Sequence, residues 1–330
     1  MTDYPTIHGM GHYVPDRVLT NQDLEQLVET SDEWITTRTG IKERRLALPG
    51  QGCSDLALEA SKKALAQAGV DALEISHILL ATFTPDYVTP TTACVLQSKL
   101  GAENCQMAVD LAAGCSGFTY ALDTSRGLLH IHPQAKILVV GSEVCTARVN
   151  FTDRNTCVLF GDGAGAAVVS GAEDGKPAIV DALLKADGSL GHFLPVGREG
   201  GSVEPFALGQ AVSEEYFIKM NGRELFKHGV RGMYDISVQL LRQNNLSVRD
   251  IDLFIPHQAN LRIIEALAKK LELPPEKVYV NVDRFGNTSA ASVIIALSEA
   301  CANGRIRSGD KVLLVSFGAG LTWGSVLLQF

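Results

Sequence analysis

One cysteine in this 330-residue chain occupies a position where a nucleophile could work. Cys115 lies in the run DLAAGCSGF, residues 110–118, where an apolar strand pattern gives way to a helical one. A helix N-terminus presents unpaired backbone N–H groups and the positive end of the helix dipole, and both favour a thiolate. The sequence therefore predicts a thiol with a lowered pKa, and the flanking Gly114 and Gly117 leave space for a substrate.

Two other polar residues also follow predicted strands. His257 ends the run DLFIPH, and Asn287 lies in the run GNTSA. Both side chains can donate hydrogen bonds to a developing oxyanion or enolate. Each of the three residues alone has an ordinary structural explanation, as a buried small side chain, a satisfied polar group or a helix cap. Their combination favours nucleophilic catalysis because an internal repeat places them together.

The repeat relates the two halves of the chain. The paired positions are His77 with Asp252 and Lys136 with Lys311, both 175 residues apart, and Asp110 with Asp283, 173 residues apart. Such a period indicates one structural unit used twice, so we expect an N-terminal half at 1–175 and a C-terminal half at 176–330, packed about a pseudo-two-fold axis. Sites in open α/β sheets form at the carboxyl ends of strands. The repeat thus predicts that Cys115, His257 and Asn287 face one cleft.

Short apolar runs alternate with amphipathic segments along the chain. The runs at 77–82, 106–111, 136–141, 166–171, 252–257, 278–283 and 311–316 are typical of strands covered on both faces. The segments at 54–69 and 260–273 have apolar residues at helical spacing. This alternation predicts a layered α/β fold.

Composition narrows the class of protein. Hydrophobic residues make up 46% and charged residues 20% of the chain, which indicates a globular protein with a large core. A net charge of −8 argues against general nucleic-acid binding. Seven cysteines without a C-x-x-C pair predict neither a zinc site nor a disulfide framework. Without a long apolar stretch or a signal-like N-terminus, we expect a cytoplasmic protein with no membrane partner.

Six motifs together resemble those of the 3-oxoacyl-[acyl-carrier-protein] synthase III family. They are DEWITTRTGI at 32–41, DLAAGCSGF at 110–118, CVLFGDGAGAAVV at 157–169, IPHQANLRIIEA at 255–266, GNTSAAS at 286–292 and FGAGLTWGS at 317–325. They follow the order found in the family and span nearly the whole chain. The resemblance implies a thiolase-like fold, with two duplicated α/β halves in a five-layer αβαβα arrangement, and a homodimer.

The resemblance also implies a reaction. Cys115 takes the acyl group from an acyl-CoA, and malonyl-acyl carrier protein then enters. His257 and Asn287 stabilise the enolate left by decarboxylation, which attacks the acylated Cys115 and gives a 3-oxoacyl-carrier protein. The oxyanion hole would use the backbone N–H groups of Cys115 and Ala319. Neither a metal nor a cofactor is implied, because the CoA and carrier-protein thioesters are substrates.

Several binding residues are implied in the same way. Trp34 and Arg154 would sandwich the adenine of CoA, with Arg38 near its phosphates. Arg262, Lys269 and Lys270 would dock the acidic carrier protein. Thr89 and Phe317 would belong to the acyl pocket. Thr89 stands where some relatives carry a phenylalanine that closes the pocket across the dimer interface, so we expect primers longer than acetyl to be accepted.

Other functions remain open from the sequence. A synthase or acyltransferase of a secondary-metabolite pathway could use the same scaffold. The run GDGAGA at 161–166 fits a loose dinucleotide-binding pattern, which requires a helix after it, whereas the following residues predict a strand. A non-enzymatic binding module is a third class, and a thiol in a glycine-lined corner argues against it.

Overall fold

The computed structural model describes residues 4–197 and 213–330. The strands are β1 (Thr6–Tyr13), β2 (Val18–Thr20), β3 (Glu43–Arg45), β4 (His77–Ala81), β5 (Met107–Leu111), β6 (Ile137–Glu143), β7 (Gly163–Ser170), β8 (Ala178–Ala186), β9 (Leu253–Pro256), β10 (Lys311–Gly318) and β11 (Thr322–Gln329). The helices are α1 (Asn21–Glu25), α2 (Asp32–Thr39), α3 (Cys53–Ala68), α4 (Thr92–Leu100), α5 (Gly117–Ile131), α6 (Arg154–Cys157), α7 (Gly222–Gln243), α8 (Leu261–Lys270), α9 (Val282–Phe285) and α10 (Ser292–Ala302). Strands β2 and β3 form a small separate sheet.

The large sheet shows the repeat directly. Its nine strands run in the order β5-β4-β6-β7-β1-β8-β11-β10-β9. From the central pair β1 and β8, the strands outward are β7, β6 and β4 on one side and β11, β10 and β9 on the other. On both sides the central strand pairs antiparallel with its first neighbour, β1 with β7 and β8 with β11. Further out, β4 pairs parallel with β6, and β9 pairs parallel with β10. The predicted boundary at 175/176 falls between β7 and β8.

Helices cover the sheet in three layers. Helices α5 and α10 lie in the middle and pack against strands of both halves. Helices α3 and α4 cover the outer face of the first half, and α7 and α8 cover that of the second. The resulting order of layers is α, β, α, β, α, which confirms the predicted fold class. The central apolar cluster contains residues of both halves, so the halves share one core rather than folding as separate globules.

Six of the seven predicted strands are present, and the prediction of a strand at 278–283 is wrong. Val278 forms only an isolated bridge with Phe254, and the chain then enters α9. The Gln258 side chain accepts hydrogen bonds from the backbone N–H groups of Asn281 and Val282 at 2.9 and 3.2 Å. Since these N–H groups bond a side chain, they are not available to a neighbouring strand.

The two strand-to-helix corners align two residues away from the predicted register. In the first half a 3₁₀ turn begins at Gly114 and α5 begins at Gly117. In the second half the same pair of elements begins at Ser289 and Ser292. Both comparisons give an offset of 175 rather than 173, and Asn287 therefore stands two residues before its corner. At this offset α9 occupies the positions equivalent to β5 of the first half.

Two further expectations bear on function. Gly163 and Gly165 lie within β7, and the next regular element is β8, so the GDGAGA run does not lead into a helix as a dinucleotide site requires. Among the residues described, none of the helices is both long and apolar enough to cross a bilayer.

Candidate active site

Cys115, His257 and Asn287 line one cavity of about 520 Å³. They are 9%, 2% and 7% exposed. Each follows a strand or an isolated bridge of the sheet, and the strands of the two halves direct their carboxyl ends to the same place. The structure thus brings together the three residues that the sequence singled out.

Cys115 is held in the 3₁₀ turn that leads into α5. The end of β10 packs directly against it, since a Cβ on Gly318 would lie 2.4 Å from the Cys115 backbone nitrogen. Gly318 also lines the cavity. Only glycine fits there, because a Cβ at that distance from backbone cannot be accommodated without a shift of the chain.

The predicted lowering of the Cys115 pKa is wrong for the resting site. Burial raises the pKa of the thiol to about 12, and the negative charge of Glu143 acts in the same direction. A hydrogen bond between the sulfur and the Ser289 hydroxyl, and one from the backbone N–H of Cys115, oppose this shift without cancelling it. Loss of water around the sulfur therefore outweighs the helix N-terminus, and Cys115 rests as a thiol at neutral pH.

His257 is a neutral imidazole in a fixed orientation. Burial lowers its pKa to about 3. Its backbone N–H donates to Val315 O at 2.7 Å, and Nδ1 lies 2.5 Å from the Ser292 hydroxyl at the start of α10. When that hydroxyl donates to Nδ1, the proton of the ring is on Nε2, which makes Nε2 a hydrogen-bond donor.

Asn287 is fixed by three hydrogen bonds. Its backbone N–H donates to Leu159 O at 2.8 Å, and its carbonyl accepts from Gly161 N at 3.1 Å. Its Oδ1 accepts from Ser289 N at 2.8 Å. Because the oxygen of the side chain is used in this way, the Nδ2 amide is the group left to donate to a ligand.

Ala319 occupies a less enclosed position than Cys115, His257 and Asn287. It follows β10, is partly exposed and lies against Gly114, where a Cβ would be 2.8 Å from Ala319 N. Its neighbours Phe317 and Gly318 line the cavity. The backbone of Ala319 thus adjoins the residue before Cys115, and its role in an oxyanion hole stays a prediction.

The three residues predicted to bind CoA form one stack. The guanidinium carbon of Arg38 lies 5.1 Å from the centre of the Trp34 ring, and that of Arg154 lies 4.8 Å from it. Arg38 also lines the cavity, so the stack stands at its mouth. At 4.8 Å there is no room for an adenine between Arg154 and Trp34, so a sandwich would require Arg154 to move.

The three residues predicted to dock the carrier protein lie on α8 but have different surroundings. All three are exposed. Arg262 lines the cavity, whereas the Lys270 ammonium lies 4.2 Å over the Tyr234 ring on α7. Arg262 and Lys269 are seven residues apart and therefore share a face of the helix. Arg223, at the start of α7, also lines the cavity and was not found from the sequence.

The two residues predicted for the acyl pocket lie in different places. Phe317 is 8% exposed and lines the cavity. Thr89 is exposed at the surface and does not line the cavity of its own chain. A contribution of Thr89 to the pocket would therefore require a second subunit.

Sequence reasoning also missed Glu143 and Ser289. Both are completely buried, and the Ser289 hydroxyl donates to Glu143 Oε1 at 3.0 Å. The sequence carried one signal, an acidic residue at the end of the apolar run KILVVGSE. Nothing in the pattern connects it with a serine 146 residues away.

Two duplicated α/β halves in five layers, with a cysteine, a histidine and an asparagine at their shared cavity, are the features of a thiolase-like condensing enzyme. Family models for 3-oxoacyl-[acyl-carrier-protein] synthase III and for its C-terminal region match residues 109–188 and 241–330. A β-ketoacyl-[acyl-carrier-protein] synthase III of Nitratidesulfovibrio vulgaris is 51% identical, with 100% of each chain covered.

Solved structures agree with these matches. The 3-oxoacyl-[acyl-carrier-protein] synthase III of Aquifex aeolicus superposes with a TM-score of 0.91 at 44% identity, covering 99% of this chain and 100% of that one. The priming β-ketosynthase of the R1128 polyketide pathway gives 0.89 at 34% identity, covering 99% and 96%. The chain belongs to the 3-oxoacyl-[acyl-carrier-protein] synthase III family of acyltransferases.

Proposed function

We propose that this protein is the initiating condensing enzyme of type II fatty-acid synthesis. It joins an acyl-CoA primer to malonyl-acyl carrier protein and releases CO₂ and CoA. The observation that carries the proposal is the shared cavity of Cys115, His257 and Asn287. Relatives that are named for this activity and that match the whole length of the chain also support it.

In the first half-reaction Cys115 attacks the thioester carbonyl of acyl-CoA. The sulfur forms a bond to the acyl carbon, and CoA leaves as the thiol. The backbone N–H groups of Cys115 and Ala319 receive the oxyanion. Since Cys115 rests as a thiol, its proton must be removed as the bond forms.

In the second half-reaction His257 and Asn287 bind the thioester carbonyl of the malonyl group. Their Nε2–H and Nδ2–H groups donate to the oxygen that becomes negative when CO₂ is lost. A neutral imidazole suits this role, because a buried cation would need a counter-ion during the rest of the cycle. The carbanion then attacks the acyl group on Cys115, the bond between sulfur and acyl carbon breaks, and the released thiolate takes up a proton from solvent to restore the resting thiol.

The surface around the cavity mouth fits acidic substrates. Arg38, Arg223 and Arg262 line the cavity. We assign the phosphates of CoA to Arg38 and the adenine to Trp34 and Arg154, with Arg262 and Lys269 facing the carrier protein. Lys270 contacts Tyr234 and contributes to the same docking face from its edge. Reversal of charge at Arg262 should raise the KM for malonyl-carrier protein and leave the KM for acyl-CoA less affected.

We further propose a cytoplasmic homodimer that uses neither metal nor bound cofactor. Strand β5 ends the sheet, and all five of its residues are partly exposed. Val88, in the loop before α4, is 100% exposed. An unpaired sheet edge is suited to antiparallel pairing with a second copy. Thr89 would then lie at the partner's acyl pocket. Seven free cysteines accord with a reducing compartment.

Intact-protein mass spectrometry tests the function. The wild-type protein is incubated with acetyl-, butyryl-, octanoyl- and branched acyl-CoA and then with malonyl-carrier protein. We expect one acyl adduct, its loss on addition of malonyl-carrier protein and formation of the 3-oxoacyl product. Cys115→Ala should abolish the adduct, and Cys94→Ala, the same change at an exposed cysteine, should not. Absence of an adduct from every donor would overturn the proposal.

A specialised synthase is the second candidate. The resemblance to a priming ketosynthase of a polyketide pathway favours it, and so does the small Thr89. Both candidates form the acyl adduct. A strong preference for acetyl-CoA would favour initiation of fatty-acid synthesis with a short primer, whereas exclusive use of a longer or branched donor would favour the specialised pathway.

A further inference from the structure

A carboxyl group without a cationic partner lies behind Cys115. Glu143 ends β6 and is fully buried. Its Oε2 accepts hydrogen bonds from the hydroxyls of Thr82 and Thr84 at 2.9 and 2.6 Å, and Phe83 N–H lies 3.2 Å from the same oxygen. Within residues 4–197 and 213–330, no basic side chain pairs with it. Buried carboxylates are normally paired, so this group calls for an explanation.

Ser289 connects this carboxyl group to the nucleophile. Its hydroxyl donates to Glu143 Oε1 at 3.0 Å. It also lies close enough to the Cys115 sulfur to hydrogen-bond it. A hydroxyl has one proton and two lone pairs, so it can donate to the carboxylate while it accepts from the thiol. The three groups form a continuous path from sulfur to carboxylate.

The backbone at Ser289 is in an unfavourable conformation. Its φ is +49°, in the left-handed region that suits glycine. The equivalent residue of the first half, Gly114, has a φ of +51° and carries no such strain. The other described residues of this kind, Asn245 and Glu272, are exposed and follow helices, whereas Ser289 is buried. Strain kept in a buried corner points to a role for the side chain.

We propose, resting on the condensing function above, that Ser289 and Glu143 form the route by which the Cys115 thiol loses its proton during acylation. As the sulfur bonds to the acyl carbon, its proton passes to Ser289 Oγ, and the Ser289 proton passes to Glu143 Oε1. The reverse transfer gives a proton to the departing CoA sulfur. CoA leaves as a thiol, and Glu143 is ionised again. Glu143 acts through Ser289 and does not touch the substrate.

The alternative acceptor, His257, is the weaker base. Burial raises the pKa of Glu143 to about 7, although hydrogen bonds from Thr84, Thr82, Phe83 and Ser289 oppose the shift. Burial lowers the pKa of His257 to about 3. A base with a pKa near the working pH accepts a proton more readily. The other titratable groups that face Glu143 are the thiols of Cys53 and Cys145, whose pKa values are raised by burial, so both are neutral.

The variant Ser289→Gly tests the route with little risk to the fold. Glycine adopts a φ of +49° without strain, and it keeps the backbone N–H that holds Asn287 Oδ1. We expect the rate of acyl adduct formation, measured in a single turnover by rapid quench and mass spectrometry, to fall about 100- to 1000-fold. The melting temperature should stay the same or rise. Acylation within about threefold of wild type would overturn the proposal.

The pH profile of acylation supplies a readout that a purely structural role would not change. Glu143 must be ionised to accept the proton, so the wild-type rate should rise as pH increases through about 7. Thr82→Val removes a hydrogen bond that lowers the Glu143 pKa, and it should move this rise to higher pH. Ser289→Gly and Glu143→Gln should lose the rise. Its persistence in Ser289→Gly would contradict the route.

These results are separable from the condensing function itself. If wild-type protein forms no adduct, the proposed function fails. If wild type forms the adduct and Ser289→Gly forms it at the same rate, only the proton route fails.

Discussion

The two halves of the molecule carry different chemistry at equivalent positions. An offset of 175 residues pairs Thr82 with His257, Cys115 with Ala290 and Glu143 with Gly318. The first half supplies the thiol and a buried carboxyl group. The second half supplies the side chains of His257 and Asn287 and, at Gly318, a residue without a side chain that packs against the backbone of Cys115. The two halves share similar strand-to-helix corners, and in the reaction proposed above the first half carries acyl transfer and the second half enolate stabilisation.

The corners differ because they pack directly against each other. A Cβ on Gly117 would lie 2.8 Å from Ala81 Cβ and 3.4 Å from Ala290 Cβ. Ala290 is fully buried in this contact. Ala290, the residue equivalent to Cys115, is therefore closed off from the cavity, and of these two positions only the first can present a nucleophile.

The largest expected effect comes from Cys115→Ala, which gives the first corner the residue that the second corner has at Ala290. Cys115→Ala should lower condensation by about 10⁴-fold or more, because no acyl-enzyme can form. Release of CO₂ from malonyl-carrier protein should persist, since His257 and Asn287 are unchanged. Both quantities can be followed with ¹⁴C-labelled malonyl groups.

Adding Ala290→Cys to Cys115→Ala is the matched control. The new thiol would lie in the buried contact between the corners, so we expect no recovery of condensation. Recovery would mean that the corners are interchangeable.

Removal of a donor from the second half should give the opposite pattern. His257→Ala and Asn287→Ala should each lower CO₂ release by about 100- to 1000-fold, the usual effect of losing one donor to a developing oxyanion. Formation of the acyl adduct on Cys115 should continue at a similar rate. Equal loss of both activities would show that the two halves do not divide the reaction in this way.

The stability of the protein at acid pH should distinguish His257 from Thr82, the equivalent residue of the first half. The folded pKa of His257 is about 3, below the unfolded value of 6.5, so the unfolded chain takes up a proton that the native site does not. The contribution of His257 to the free energy of unfolding is fully present above pH 6.5 and is lost as pH falls from 6.5 towards 3.

The variant His257→Thr places the first half's residue in the second half. Between pH 7 and pH 5, wild type should lose about 2 kcal/mol more of its free energy of unfolding than this variant does. Urea titrations at the two pH values measure it. The other histidines are common to both proteins, and an equal loss would mean that His257 is protonated in the native state.

The smallest effect concerns the contact between the corners. Gly117→Ala should lower the free energy of unfolding by about 1–2 kcal/mol, because its methyl group meets Ala81 and Ala290. Gly127→Ala in the same helix meets nothing within 4 Å and should stabilise by up to about 1 kcal/mol. Urea unfolding compares the two. Equal changes in the free energy of unfolding would show that the contact between the corners has room for a methyl group.

Much of the fold could be predicted from local patterns. Buried strands such as β4, β6 and β10 have apolar runs in the sequence, and Cys115 and His257 were correctly predicted to follow the carboxyl ends of strands. The run at 278–283 misled because a distant side chain, Gln258, takes up its N–H groups. The register of the corners was wrong by two residues because it rested on pairing Asp110 with Asp283, and Asp283 lies in the short helix α9 rather than in a strand.

The properties of the site were harder to predict. The thiol pKa depends on how completely water is excluded from Cys115, and no spacing of residues shows that. The contact between Ser289 and Glu143 joins residues 146 apart and appears only when both halves are packed. Motifs identified three groups that line the cavity, whereas the groups behind them became visible only in the folded structure.

The central pairing of β1 with β8 has a consequence for biosynthesis. Cys115 reaches its surroundings only when Gly318, Ser289 and His257 have left the ribosome and closed the second half over the first. Contacts between residues this far apart in sequence form slowly, since long loops must close first. A partly synthesised chain therefore carries an ordinary, unsupported cysteine, and reactivity towards thioesters should appear only late in folding.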